Sequence, residues 1–302
     1  MRILVTGATG FVGSKVLKLL CEKYDKEEID VLSSGVVEGV KTIDSNNYEF
    51  SEDYLLKCGC EDVEVLIHVG AFTPKTTSDA DNVDLATSNI LNTKRLLDAN
   101  LPNLKKVIFT STLDVYGNKT DVITEDSIPT PMTLYGWSKL YCEHMIANYC
   151  EQRGIMYQIL RVGHVYGAGE EKYRKVMPIM INNAIEGKNL VIYGDGEAKR
   201  SYVYIDDVAN CIVKSIILET SEVINIVGDE DISIKQLAYM ICDLSDEKLS
   251  VSHTNLDMKN VDYVFDNKKM HNLLNISLTP FADGLKQEYE YMKERKANEH
   301  NI

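Results

Sequence analysis

The chain has 302 residues, 44% of them apolar, and a formal net charge of −14; this suits one large domain or two modest ones and is far from the composition of disordered chains. So negative a field repels nucleic acid and anionic membrane surfaces, which excludes both as partners. No stretch approaches the roughly 18 unbroken apolar residues that span a bilayer, and the first strand runs straight into a glycine motif, which leaves no room for a signal peptide and points to the cytoplasm.

The first two-thirds alternate short apolar runs with amphipathic segments, the pattern of a parallel sheet wrapped by helices. Strands are expected over 2–6, 29–33, 41–43, 65–69, 106–111 and 156–161, and helices over 11–24, 82–99 and 133–153. The first strand opens onto Thr6-Gly7-Ala8-Thr9-Gly10-Phe11-Val12-Gly13. Gly7 permits a tight turn, Gly10 lets a pyrophosphate approach the backbone, and Gly13 lets helix and strand pack closely, with Thr9, Phe11 and Val12 along the same turn. That is a dinucleotide site. At the ends of the second and third strands Ser33, Ser34 and Asp44 are the further candidate cofactor residues. The ligand is NAD or NADP: the second strand ends in Ser33 rather than the acid that favours NAD, a faint lean to NADP.

Tyr135 and Lys139 stand four apart and so share a helix face. An ammonium beside a phenol favours the phenolate, and a lowering of about two to three units would make Tyr135 an acid–base catalyst near neutrality. The spacing alone is weak, because Tyr289 and Lys293 repeat it in the last helix, where a solvated surface pair is expected. Context separates the two. Tyr135 follows a strand ending Phe109-Thr110-Ser111-Thr112, whose hydroxyls fall at the carboxyl edge of the sheet, where ligands bind.

After residue 161 the rhythm breaks. A helix near 176–186 and a strand at 190–193 lead to the loop Gly194-Asp195-Gly196. A strand at 202–205 is followed by a helix with Asp206 as N-cap. Ser233-Ile234-Lys235-Gln236 has the form of a capping box, and Thr279-Pro280 opens a last helix whose tail beyond Lys293 should fray. The division expected is a dinucleotide-binding domain over 1–161, with 202–220 returning to it, and a substrate domain from 162–201 and 221–302. Seven cysteines are scattered, odd in number and without metal spacing; they read as reduced thiols, with no metal site.

With these residues assembled, the chain resembles the extended short-chain dehydrogenase/reductases, specifically the NAD-dependent epimerase/dehydratase family that modifies nucleotide sugars. The resemblance implies an α/β, Rossmann-type doubly wound parallel sheet with a smaller C-terminal α/β substrate domain. It is carried by the glycine turn, by Leu66-Ile67-His68-Val69-Gly70-Ala71, by Ser111-Thr112-Leu113-Asp114-Val115-Tyr116-Gly117, and by Leu160-Arg161-Val162-Gly163-His164-Val165-Tyr166-Gly167. The most distal block is Ile192-Tyr193-Gly194-Asp195-Gly196 through Arg200-Ser201-Tyr202 to Asp207. It implies that Thr112, Tyr135 and Lys139 are catalytic, and that Val69, Gly70, Ala71, Asn89 and Thr110 join the cofactor site. Substrate contacts fall to Thr73, Thr112, Leu113, His164 and Arg200, the last on a phosphate. Lys172, Arg174, Lys175 and Lys199 lie in the same substrate segments. Dimerisation through the helix of Tyr135 and the one before it is also implied.

Departures refine the expectation. Dehydratases of the family carry Asp-Glu directly after the catalytic Thr, and this chain has Leu113-Asp114, which argues against a full dehydratase. His164 stands where many relatives have asparagine. In place of a second phosphate-binding arginine, Lys259 would act as a point charge. The expected activity is a 4-ketoreductase or 4-epimerase of the hexose of a nucleotide sugar. A dehydrogenase or reductase of a small non-nucleotide carbonyl compound is the alternative, and a cofactor-binding scaffold without catalysis a third.

Overall fold

A computed structural model of the chain describes residues 1–46, 53–76, 78–117, 122–254 and 264–299. In the first half, β1 (Arg2–Thr6) leads through α1 (Phe11–Lys23) to β2 (Ile29–Ser33) and β3 (Lys41–Asp44); then α2 (Tyr54–Lys57), β4 (Val63–His68), α3 (Val83–Asp98), β5 (Lys106–Thr112), α4 (Leu134–Arg153) and β6 (Met156–Val162) follow. The second half holds β7 (His164–Tyr166), α5 (Val176–Ile185), β8 (Leu190–Tyr193), β9 (Lys199–Tyr204), α6 (Ile205–Lys214), β10 (Glu222–Ile226), β11 (Asp231–Ser233), α7 (Ile234–Leu244), β12 (Val251–Thr254), α8 (Lys268–Leu274) and α9 (Phe281–Glu299).

Seven strands form one parallel sheet in the order β10-β6-β5-β4-β1-β2-β3. Ile3, Leu4 and Val5 of β1 are wholly buried, because a parallel sheet is covered by helices on both faces and needs apolar residues on both. One cover is α1 with α6, whose Val16, Leu20, Val208 and Ile212 share a core with Ile3 and Val5. The other is α3 with α4, where Leu96, Cys142 and Ile146 meet Leu4 and Leu66. Strand order reverses at β1, with β2 on one side and β4 on the other, so a crevice opens above the carboxyl ends of those strands.

The seventh strand corrects the expected division of the chain. Residues 222–226 were assigned with the substrate domain, yet β10 pairs in parallel with β6, from Glu222↔Gln158 to Ile226↔Val162. Met270 and Leu274 of α8 also bury in the core beneath α1 and α6. The second unit consists of two small sheets, β11-β9-β7 and β12-β8, around a core of α5, α7 and α9 that includes Ile181, Leu237 and Phe281. The Ser233–Gln236 capping box forms as read. Helix α6 starts at Ile205, with Tyr204 rather than Asp206 as its N-cap, and α9 runs past Lys293 to Glu299.

Candidate active site

The glycine turn after β1 is determined by close approach. Gly7 has φ +73° and lies against Gly70, where an added Cβ would come within 2.4 Å of the Gly70 Cα; at Gly13 an added Cβ would stand 2.0 Å from the Gly7 carbonyl oxygen. A buried polar chain holds Gly70 in place. The Gly70 N–H donates to Thr6 Oγ1 at 3.0 Å, Thr6 Oγ1 meets His68 Nδ1 at 2.8 Å, and His68 Nε2 meets Thr93 Oγ1 at 3.0 Å. Burial, with the charge of Lys139, pushes the His68 imidazole down to about 3, so it serves as a neutral bridge between β1, β4 and α3. Gly10 caps α1 without a side-chain hydrogen bond, so the first-turn N–H groups and the positive end of the helix face the crevice. This is a cradle of the kind that accepts a pyrophosphate.

The crevice is a cleft of about 650 Å³. The glycine turn, with Thr9, Phe11 and Val12, makes one wall, and Val69, Gly70 and Ala71 the floor. Thr110, Thr112, Leu113, Tyr135 and Lys139 make the opposite wall together with Thr73 from the loop after β4, and His164, Tyr173, Arg174 and Lys175 reach in from the side of the second unit. Thr112 ends β5 and accepts the Asp114 N–H at 3.2 Å, which starts a short helical turn. Tyr135 sits in the first turn of α4, whose N-cap Thr133 accepts from the Gly136 N–H at 3.1 Å. Its phenol lies in the cleft near the hydroxyls of Thr73 and Thr112. Lys139, one turn on, is buried with its ammonium 4.3 Å from the centre of the Phe109 ring.

The expected lowering of the Tyr135 pKa by Lys139 is not found. Burial raises the phenol, the neighbouring Asp114 carboxylate raises it further, and the two threonine hydroxyls only partly oppose them. Burial also pushes Lys139 down to about 8. Both groups therefore lie closer to their uncharged forms than the spacing argument supposed, because desolvation of a closed cleft outweighs their mutual effect.

Asp114 is the cleft residue that sequence reasoning passed over. It was weighed only as half of a missing Asp-Glu pair, although it follows Thr112 by two and the short turn folds it back into the cleft. Burial raises its carboxyl, against the pull of Lys175. His164 also lines the cleft; its Nδ1 is buried with no partner, and burial with the charges of Arg200 and Lys175 lowers its pKa to about 3. Arg200, half-buried on β9, is not part of the cleft lining, though its charge acts on His164; its Nη1 donates to the Lys199 carbonyl oxygen at 2.7 Å.

Other expected cofactor residues lie off the cleft wall. Ser33, Ser34 and Asp44 are at the carboxyl ends of β2 and β3; the Ser33 hydroxyl accepts from Gly35 N–H at 3.2 Å, and Asp44 accepts from Asn46 N–H at 2.8 Å. Asn89 is buried behind the wall. Its amide accepts from the Phe72 N–H at 2.7 Å and donates to the Phe72 carbonyl and to Ser138, which makes it a brace between the floor and α4 rather than a ligand. Tyr289 is no surface residue but buries in the second core, while Lys293 pairs with Asp246. Lys259 lies outside the described residues. Beneath the catalytic wall a buried ion pair, Arg161 to Glu143 at 2.7 Å, ties β6 to α4; Ser111 donates to the same carboxylate, and Arg161 donates to the Tyr116 hydroxyl at 2.7 Å.

A doubly wound sheet with a glycine cradle at its switch point and a Thr–Tyr–Lys set facing it defines a nicotinamide-dinucleotide enzyme of the extended short-chain dehydrogenase/reductase type. The chain belongs to the NAD dependent epimerase/dehydratase family, whose model matches residues 3–226. It is similar to the UDP-N-acetyl-alpha-D-glucosaminuronate decarboxylase of Bacillus cytotoxicus, at 28% identity over 83% of each chain. Among solved structures it resembles a UDP-glucose 4-epimerase of Thermotoga maritima bound to UDP-glucose, with 27% identity, a TM-score of 0.85, and coverage of 98% of this chain and 100% of that one. A UDP-glucuronic acid 4-epimerase of Bacillus cereus, bound to UDP-glucuronic acid and NAD, matches with 30% identity, a TM-score of 0.81 and the same coverage. Among the described residues no helix is long and apolar enough to cross a membrane.

Proposed function

We propose that this protein is an NAD-dependent, cytoplasmic 4-epimerase of the hexose of a nucleotide sugar, with Tyr135 as its acid–base. The observation that carries the reading is the convergence of Thr112, Tyr135 and Lys139 on one cleft, across from the glycine cradle. NAD, when bound, supplies the hydride acceptor for the sugar carbon and a positive ring that favours the phenolate. Tyr135 takes the proton from the sugar hydroxyl and later returns it, Thr112 orients that hydroxyl, and Lys139 holds the nicotinamide ribose. Gly7, Gly10 and Gly13 admit the pyrophosphate. Ser33, Ser34 and Asp44 meet the adenosine half. His164, with its unpartnered Nδ1, Arg200 and Lys175 serve the substrate diphosphate, and Thr73 and Leu113 the sugar.

NAD is favoured over NADP despite the missing acid after β2. The segments 33–40 and 42–46, at the carboxyl ends of β2 and β3, hold no arginine or lysine to meet a 2′-phosphate. The epimerase from Bacillus cereus was also solved with NAD. A second reading is favoured by Asp114, which offers a second proton-transfer group in the cleft: oxidation at the same carbon followed by loss of carbon dioxide or water. Incubating the enzyme with UDP-, dTDP- and GDP-linked hexoses and hexuronates, with products followed by mass spectrometry and NMR, tests both. An epimer of unchanged mass supports the first reading, and a lighter product the second. No turnover with any member would refute a nucleotide-sugar substrate.

The enzyme is a homodimer in this proposal. Val83 and Leu91 of α3 are 65% and 44% exposed, and Leu134, Trp137 and Tyr141 of α4 are 38%, 55% and 58% exposed. The last three, at i, i+3 and i+7, share one helix face, and an apolar stripe of this kind on paired helices suits a second copy. Light scattering should report a dimer, with Trp137→Glu shifting it to monomer; a wild-type monomer would refute the assembly.

A further inference from the structure

Behind the cleft wall lie two carboxyl groups that the proposed chemistry does not use. Glu170 and Glu288 are 2% and 1% exposed. Glu288, on α9, accepts the Gly167 N–H on Oε2 at 2.9 Å; Glu170, in the short turn after Gly169, holds the Lys175 ammonium on Oε1 at 3.0 Å. Lys175 also reaches the Val165 carbonyl oxygen at 3.4 Å. That leaves Oε2 of Glu170 and Oε1 of Glu288 buried without any N–H or hydroxyl donor. Both groups converge on Gly167, whose N–H is held by Glu288 and whose carbonyl oxygen accepts the Glu170 N–H at 3.0 Å, so the charge of Glu170 acts on Glu288. Two ionised carboxylates this deeply buried would repel each other with no donor for their orphaned oxygens; one proton between them satisfies both and lets Lys175 balance the single remaining charge.

We propose that Glu170 and Glu288 share one proton and form a lock between α9 and the segment 167–175, positioning Lys175 as a cation on the substrate side of the cleft. Glu170 and Glu288 are positioning residues; Lys175 lines the cleft and faces Asp114 and His164. The charged and titratable groups around the pair are Lys175 and Glu171 on the same segment, Tyr173 beside Glu170, Tyr166 on β7, and Tyr202 and Tyr204 on β9. Burial raises all four phenols, so they stay neutral while the pair titrates, and Glu171 is engaged by Arg295. Burial and the neighbouring carboxylate hold the Glu288 proton up to about 9. Losing it sets two like charges against one another in a dry site, which loosens the segment that presents Lys175.

This inference rests on the nucleotide-sugar reading for the ligand of Lys175, but the proton itself does not. Infrared spectroscopy of the full-length protein at pH 7.5 should show a protonated-carboxyl band that fades as pH rises through about 9. Glu288→Gln, an isosteric change that keeps a donor in place, should lack that component. Calorimetry with UDP as the probe should then show affinity falling roughly tenfold more between pH 7.5 and 10 in the wild type than in Glu288→Gln. Glu170→Gln, which removes the partner of Lys175, should weaken UDP at all pH values. A wild type without the band, or a Glu288→Gln variant with the wild-type pH dependence, would overturn the lock. If the band behaves as expected but UDP binds neither protein at pH 7.5, the lock stands and the nucleotide substrate falls.

Discussion

Gly13→Ala offers the sharpest test of how the cofactor cradle works. The added methyl would stand 2.0 Å from the Gly7 carbonyl oxygen, 2.7 Å from its carbon and 3.1 Å from the Ala8 Cα. Real methyl contacts stop near 3.0 Å, so the structure must open by about 1 Å, and the obstructing atoms are backbone with no rotamer to change. The turn cannot retreat toward β4, because Gly7 is already packed on Gly70. Helix α1 must lift instead, which loosens Val16, Leu17 and Leu20 in the core. Overpacking of this kind costs about 1–3 kcal/mol of stability. A cradle displaced by about 1 Å should lose on the order of a hundredfold in cofactor-dependent turnover. Gly10→Ala is the control: its methyl meets the Gly7 oxygen at 3.1 Å, so the fold should tolerate it while the pyrophosphate loses its approach. Thermal denaturation and NAD titration, run on both variants, separate the two effects. If Gly13→Ala melted with the wild type and bound NAD within about twofold of it, the close-packing account of the third glycine would be wrong.

Tyr135→Phe should keep the fold and NAD binding and lower turnover by roughly a hundredfold or more, measured as sugar oxidation or epimerisation; half of the wild-type rate would remove Tyr135 from its role. Arg200→Ala should raise the Michaelis constant about ten- to hundredfold, the equivalent of about 1.5–3 kcal/mol for one charge-assisted phosphate contact, and flatten its salt dependence. The acid pair should also appear in stability. An unfolded Glu288 loses its proton near its ordinary 4.5, whereas the folded one keeps it to about 9. The native state therefore binds the extra proton between those values. The stability it contributes is complete below 4.5 and declines as pH rises toward 9, by at most about 1.4 kcal/mol per pH unit. Urea denaturation of Glu288→Gln should show a flatter profile across that window, and a profile parallel to the wild type would contradict the raised pKa.

What could be read in the sequence was whatever has a local cause. The first six strands and the glycine turn follow from short buried runs and from spacing, and the Ser233–Gln236 cap needs only four residues. Non-local partners were hidden. The run Glu222–Ile226 carries no mark of its pairing with β6, and β7 is three residues long, its end held by β9. Tyr135–Lys139 and Tyr289–Lys293 share one spacing, yet only the fold places the first pair in a cleft and sends the members of the second to a core and to Asp246. Polar residues misled for the same reason. Asn89 looks like a ligand until its amide is found bonded to Phe72, and nothing in the sequence marks Glu170 and Glu288 as buried acids. The Tyr135 pKa was misjudged because desolvation depends on the closure of the cleft, which no motif encodes.

The placement of β10 and α8 has a consequence for how the chain is made. The sheet that carries the cofactor cradle is closed at one edge by residues 222–226, and its core is completed by Met270, Leu274 and Ile276. A chain emerging from the ribosome N-terminus first can pair β1 to β6 early, but it exposes the open edge of β6 and the apolar face of α1 and α6 until nearly all of it has been synthesised. Domains of this size commonly pass through intermediates with such unpaired edges, which are prone to aggregate. The last step of folding is therefore the return of the C-terminal third to the first-made half, and chains cut short before residue 276 should be insoluble rather than merely inactive.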